Sequence, residues 1–423
     1  MRILWIKTEL LHPLDKGGKL RTHGMLRELK RRHHLTYLTL DDGSGGADAV
    51  AAAAEYCDEL VRVPFRAPPR GSPAFLADLA RSLLTPLPYF VARWRSAALR
   101  QEIAARTAGG GFDVVVCDFL VPAASLPEAI PAATVLFQHN VEATIWRRQA
   151  EVHRNPLARR FLRGQFRRAA AFEGAACRRF DHVVAVSPDD RQAMRRDYGV
   201  ERVSDVPTGV DTEFFRPAGR AERDPHALVF TGSMDWTANV DAVHHFAAEV
   251  LPRIRAGVPE AHLWVVGRDP HPSLGELAAR DPGIRVTGRV DDVRPYIERA
   301  AAYVIPLRIG GGTRLKVFEA LAMEAPVVST TVGAEGLPVR DGAELLLADD
   351  PDAFANAVLR LLRDRPLAAG LAARGAALVR ARYGWAAATE AFEAALEQAV
   401  RRRRTTNPRA PSGGAPILLR EPA

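Results

Sequence analysis

Short apolar runs of four to six residues recur along this chain in two series, each run stopping at a polar loop and separated from the next by segments of helical period. That alternation leaves few folds open. The first series is Ile3–Ile6, Leu35–Leu40, Asp113–Cys117 (DVVVC), Thr134–Phe137 (TVLF) and His182–Val186 (HVVAV). Runs that are apolar without interruption suit parallel strands covered on both faces. Between the first two, Lys19–Arg32 reads as a helix with Met25, Leu26 and Leu29 inward, which completes a βαβ unit. The second series is Ala227–Thr231, His262–Val266, Ile284–Thr287, Tyr303–Pro306 and Pro326–Ser329. The pattern predicts an α/β protein of two Rossmann-like, doubly wound parallel-sheet domains facing across a cleft, residues 1–205 and 206–385. Val206–Gly219, rich in Pro and Gly, suits a hinge. Residues 386–400 read as a helix packing back on the first domain, and 401–423 as a basic, Pro/Gly-rich disordered tail.

A chain of 423 residues has room for two such domains. Its longest charge-free stretch, Ala129–Val141, is thirteen residues, short of the roughly twenty that span a bilayer. Lys7 and Glu9 interrupt the N-terminal apolar run, so no signal peptide is expected. Cys57, Cys117 and Cys177 form neither a disulfide framework nor a zinc spacing, which makes the cytoplasm the expected compartment. Lys and Arg number 58 against 50 Asp and Glu, a net charge of +8 that suggests an anionic ligand or surface.

The loops carry the chemistry. In IGGGTRLKVFEALA, Ile309–Ala322, three glycines follow a strand and precede a helix, where backbone N–H groups favour a phosphate. Arg314 and Lys316 put two cations in the first helical turn, where the helix dipole disfavours them unless a diphosphate compensates. Glu319 lies on the side of Lys316 and can accept hydroxyls such as those of a ribose. The alternative is a Gly-rich turn with a surface Lys–Glu pair. Gly17 and Gly18 supply backbone donors between the first strand and first helix, or form an ordinary turn. Without a full Gly-x-Gly-x-x-Gly fingerprint, they do not indicate a nicotinamide dinucleotide. Gln138-His139-Asn140-Val141-Glu142 follows TVLF directly: His139 can donate a hydrogen bond to a sugar or reacting oxygen, and Asn140 and Glu142 can hold an acceptor hydroxyl. A capping cluster, with Asn140 starting a helix, is the alternative. Residues 147–168 hold eight arginines and one acid, Glu151, with Leu157, Phe161, Leu162 and Phe166 as an apolar helical stripe. This is either a core-packed helix with a solvated basic face or a surface for anionic lipid headgroups.

In order and spacing, the early Gly17–Gly18 loop, QHNVE at 138–142, VVAVSPDDR at 183–191, VPTGVD at 206–211, FTGSMDWTANVD at 230–241, VTGRVDDVRPYI at 286–297 and the segment 310–337 resemble the family-four glycosyltransferases of the GT-B fold. The resemblance covers nearly the whole chain and looks most like the subgroup serving extracellular polysaccharide assembly. It implies that the second domain holds a nucleotide-diphosphate sugar. Glu319 would be the later Glu of the family's Glu-x7-Glu motif and bind the ribose. Gly312, Thr313 and Arg314 would line the diphosphate, and Gly288, Arg289 and Val290 would lie beside the base. Gly17–Gly18 would close over the phosphates, and His139 would match the family's histidine. Two positions depart from the pattern. The earlier Glu falls at 311, a Gly here, and the usual basic pair after the strand opening the second domain is replaced by Ser233 and Ala238. Arg314 and Lys316 are therefore expected to carry the catalytic cationic role, with His139.

The expected reaction is retaining sugar transfer to a glycan or lipid-linked acceptor, as the family implies. No cofactor and no metal is expected, since no Asp-x-Asp motif stands in a suitable loop. Residues 147–168 imply peripheral contact with an anionic membrane at its inner face as an alternative to a wholly cytoplasmic position. A nucleotide-sugar epimerase on the same fold and a non-catalytic membrane-peripheral binding protein are the rival readings. No nucleic-acid module is recognisable.

Overall fold

The computed structural model describes residues 1–14, 17–69, 71–153, 155–219, 222–309 and 315–406. The chain divides into two compact units, Met1–Pro207 with the residues from Thr389 onward, and Thr208–Ala388.

The first unit is built on seven strands: β1 (Arg2–Lys7), β2 (His34–Asp41), β3 (Glu59–Pro64), β4 (Val114–Asp118), β5 (Ala133–Phe137), β6 (His182–Ala185) and β7 (Val203–Asp205). Their order is β3-β2-β1-β4-β5-β6-β7, every pair parallel, with Ile3 opposite Leu35 on one side and Val114 on the other. All five residues of β4 are buried, as a strand covered on both faces requires. Leu4, Ile6, Leu38, Val115, Leu136 and Val183 lie at the centre of the core. The helix Trp385–Thr406 supplies Phe392, whose ring lies 5.5 Å from Trp5 and 4.9 Å from Phe137, and Glu393, which pairs with Arg32 and His33.

The second unit has β8 (Asp224–Thr231), β9 (His262–Val266), β10 (Ile284–Gly288), β11 (Ala300–Ile305), β12 (Val327–Ser329) and β13 (Leu346–Leu347). The order is β10-β9-β8-β11-β12-β13, again parallel throughout. Leu228, Phe230, Val265, Tyr303, Val304 and Phe318 anchor its separate core.

In each sheet the strand order reverses once, between β1 and β4 and between β8 and β11. An open α/β sheet binds ligands outside the carboxyl ends of its strands at such a reversal.

Three features differ from the sequence reading. The first helix is Gly17–Lys30 rather than Lys19–Arg32, so Gly17 and Gly18 form its opening turn instead of a loop before it. The arginine-rich segment is two helices, Glu142–Val152 and Pro156–Arg179. Pro156 cannot continue a helix but starts one well, and the Asn155 side chain accepts from the N–H groups of Leu157 and Ala158. The final helix runs through the arginines to Thr406, past the expected start of a tail at 401. Cations in a last helical turn face the negative end of its dipole, and Arg403 Nη1 lies 3.8 Å from Asp181.

Candidate active site

In the first unit Lys7 ends β1, Asp118 ends β4, and His139 follows β5 by two residues. All three are buried, His139 to 2% exposure. Asp118 Oδ2 accepts from Lys7 Nζ at 3.0 Å, from Trp5 Nε1 at 3.0 Å and from the Thr22 hydroxyl at 2.6 Å. Its other oxygen lies 2.8 Å from His139 Nε2. Burial pushes the Asp118 carboxyl up, but Lys7, His139 and Thr22 outweigh it and hold the carboxyl well below its usual range. Burial likewise brings His139 down to about 3, so the ring is neutral.

Although Nε2 lies this near the carboxylate, neither it nor Asp118 Oδ1 makes a well-aligned hydrogen bond among the described residues. Nδ1 has no hydrogen-bond partner among the described residues. Phe119 lies over the ring at 3.9 Å and also receives the Lys7 ammonium at 4.4 Å. Its φ of 71° places a bulky residue in the left-handed region, a strain of about 1–3 kcal/mol that surrounding contacts must hold. Gly18 packs beneath this ring, and a Cβ there would stand 3.0 Å from Phe119 and 3.7 Å from His139 Nδ1.

Beside this cluster, Glu173 reaches from the helix Pro156–Arg179 to the start of the helix Glu142–Val152. Its carboxylate accepts from the backbone N–H groups of Glu142 and Ala143, from Gln138 Nε2 and from Tyr198 OH. Glu142 stands half-buried next to it, with Asn140 Nδ2 at 3.5 Å. Burial first, then the Glu173 charge, lifts the Glu142 carboxyl to about 7. The helix is capped from outside the segment: its N-cap position is Val141, not Asn140, and the carboxylate on its first N–H groups is Glu173, while Asn140 and Glu142 keep exposed area.

In the second unit the helix Leu315–Ala322 begins at the carboxyl end of the sheet and carries Lys316 and Glu319. Lys316 Nζ donates to Asn239 Oδ1 at 2.9 Å, lies 4.2 Å from the centre of the Phe230 ring, and would be 2.9 Å from a Cβ on Gly232. The ammonium therefore sits on the loop after β8, where Ser233 and Ala238 replace the basic pair. Ser233 turns to Asp235 and Ala238 is buried. Glu319 is half-buried, and burial raises its carboxyl to about 7 against the opposing pull of Lys316. Gly232, Gly267 and Gly288 line this edge. Gly267 packs so closely on Gly232 that any side chain would collide with its carbonyl, and Gly288 has a φ of +70°. Arg289 is exposed, while Val290 packs partly on the core. Gly312, Thr313 and Arg314 lie outside the described residues.

The structure thus groups Gly17, Gly18 and His139 in one unit and Lys316, Glu319 and Gly288 in the other. Sequence reasoning passed over Lys7, Thr22, Asp118, Phe119, Glu173 and Asn239. For Lys7 and Asp118 a signal was present, since each is a charge ending an otherwise apolar strand at a sheet's carboxyl edge.

Two family models match the chain, Glycosyltransferase Family 4 over residues 16–214 and Glycosyl transferases group 1 over 225–364. The chain belongs to glycosyltransferase family 4. Among its relatives in that family, a phosphatidyl-myo-inositol mannosyltransferase of Mycolicibacterium smegmatis is 30% identical over 210 residues, 48% of this chain and 53% of that protein. A D-inositol 3-phosphate glycosyltransferase of Catenulispora acidiphila is 30% identical over 256 residues, 54% of this chain and 60% of that protein. The match spans little more than half the length of these relatives. Among solved structures, Anabaena Alr3699/HepE in complex with UDP superposes with a TM-score of 0.66 at 14% identity, covering 94% of this chain and 100% of that one. The sucrose-phosphate synthase of Thermosynechococcus elongatus superposes with a TM-score of 0.68 at 18% identity, covering 94% and 98%. This family-4 chain therefore has the GT-B fold.

Proposed function

We propose that the chain is a retaining glycosyltransferase that moves a sugar from a nucleotide-diphosphate sugar to a glycan or lipid-linked acceptor in polysaccharide assembly. One observation carries the reading: Lys316 reaches across the strand reversal of the second unit to Gly232 and Asn239, with Glu319 one helical turn behind it. An ammonium beside glycine backbone receives a diphosphate, and a carboxylate at that spacing receives ribose hydroxyls. Solved neighbours that bind UDP and UDP-glucose support this assignment.

As the sugar–phosphate bond breaks, negative charge builds on the leaving diphosphate. Fixed cations and N–H groups stabilise that charge most in the transition state. Lys316 supplies one such cation, and Arg314, by its family position, a second. His139, whose two ring nitrogens make no hydrogen bond among the described residues, meets a sugar hydroxyl. Gly17 and Gly18, whose backbone N–H groups open a helix, meet the phosphates, and Gly288, Arg289 and Val290 meet the base. Asn140 and Glu142 serve the acceptor.

The acceptor side also suits an anionic bilayer surface. Arg159, Arg160, Arg163 and Arg167, with Pro156 and Gly164, line a groove of about 450 Å³. Leu157 and Phe161 are exposed on the same helix, and Leu83 and Leu84 are exposed where Arg168 binds the Ser82 and Leu83 carbonyls. No helix among the described residues is long and apolar enough to cross a membrane.

The reaction is tested by incubating the protein with a panel of nucleotide sugars and with polyol and lipid-linked acceptors, in the presence of a chelator, and reading the first-formed anomer by proton NMR. Transfer with the donor's anomeric configuration is expected. Inverted product, or a donor epimerised without any acceptor, overturns the reading.

A further inference from the structure

Among the described residues, one group of three metal-ligating side chains brings its ligand atoms within 4.8 Å of one another: His12, His23 and Glu55. His12 comes from the loop after β1, His23 from the helix Gly17–Lys30, and Glu55 from the short helical turn Ala52–Glu55. None of them belongs to the groups assigned above to donor, sugar or acceptor.

Glu55 Oε2 lies 3.0 Å from His23 Nε2 and 3.4 Å from His12 Nε2. A tetrahedral ion with arms of about 2.0–2.1 Å holds its ligand atoms roughly 3.3–3.4 Å apart. Two edges of that tetrahedron are therefore nearly in place, and only the edge between the histidines has to close. A plain ion pair explains His23 but not His12, whose Nε2 is buried and makes no hydrogen bond among the described residues. That oxygen has lone pairs for two donors, yet it pairs with His23 and leaves His12 Nε2 without a hydrogen bond; a cation between the three would engage both rings.

Packing holds the set. The two imidazoles meet edge to face at 5.2 Å and 83°, and the Tyr56 ring lies against both, at 6.2 Å from His12 and 5.8 Å from His23. Ligands whose rings are fixed before binding lose little freedom when an ion arrives. Two neutral imidazoles and one carboxylate suit a borderline divalent ion such as Zn²⁺. Glu55 is about half exposed, so water reaches the fourth position.

We infer that His12, His23 and Glu55 form a binding site for one transition-metal dication of the zinc class. Such an ion ties the loop after β1 to the helix that opens with Gly17 and Gly18.

The test uses the untagged full-length chain, stripped of metal. Zn²⁺ affinity is read by competition with a chromophoric chelator, coordination by the visible absorption of added Co²⁺, and stability by the melting temperature. The wild type is expected to take one equivalent of Zn²⁺, melt at a higher temperature with it, and give the intense visible band of a low-coordinate Co²⁺ site. Glu55→Gln, at an exposed position where the fold tolerates exchange, and His12→Gln are each expected to lose at least about tenfold in affinity and to lose that band. A wild type that binds no Zn²⁺, or variants that bind it as the wild type does, overturns the inference.

Discussion

Glu319, half-buried, and Asp118, fully buried, are both carboxyl groups near a lysine, yet their environments push them opposite ways. Three donors and a ring nitrogen surround Asp118 and keep it ionised, whereas among the described residues Glu319 has the opposing charge of Lys316 and is raised to about 7 by burial. If Glu319 receives ribose hydroxyls as a carboxylate, a proton taken up below that pKa competes with the donor. Donor affinity should therefore rise as pH increases through about 7 and level off above it. Glu319→Gln should lose about 1.5–3 kcal/mol of donor binding at high pH and show a flat profile. Calorimetric titrations at several pH values check both; an unchanged affinity removes the ribose assignment. Asp118→Asn leaves the Lys7 ammonium buried without its counter-charge, a loss of about 3–5 kcal/mol in urea denaturation. A loss under about 1 kcal/mol would mean that the Lys7–Asp118 pair is not what holds this edge together.

Every strand the sequence reading missed, β3, β7 and β13, is an edge strand, although one edge strand, β10, was read. The first mixes charges with apolar residues, and the other two are three and two residues long, too short for a periodic signal. The central strands were legible because burial on both faces demands an unbroken apolar run. The helix start at Pro156 was overlooked because the arginine-rich run spans it and was read as one segment, although Asn155-Pro156 is a helix-start signature. The second helix opens at the arginine-lined groove. Replacing Arg159, Arg160 and Arg163 by Gln should reduce binding to anionic liposomes at low salt while leaving turnover on a soluble acceptor nearly intact. Equal sedimentation of both proteins with such liposomes would return these arginines to an ordinary solvated face.

At the scale of the whole molecule, the candidate residues of each unit gather where its strand order reverses. Gly17–Gly18, His139, Lys316 and Glu319 could be picked out in advance because loops after buried strands hold more polar groups than a turn needs. What supports them was hidden. Asp118 and Lys7 meet only through the pairing of β1 with β4, and Lys316 meets Gly232 and Asn239 across some eighty residues of chain, separations that no local pattern encodes. The central claim is that the second unit holds the diphosphate of a sugar nucleotide on Lys316. It is tested most directly by titrating a panel of nucleoside diphosphates and nucleotide sugars into the wild type and Lys316→Ala by calorimetry. The account predicts that at least one diphosphate binds the wild type and that the variant loses about 1.5–3 kcal/mol toward it while binding the nucleoside alone equally well. A wild type that binds no diphosphate, or a variant that binds it as tightly as the wild type does, would contradict it.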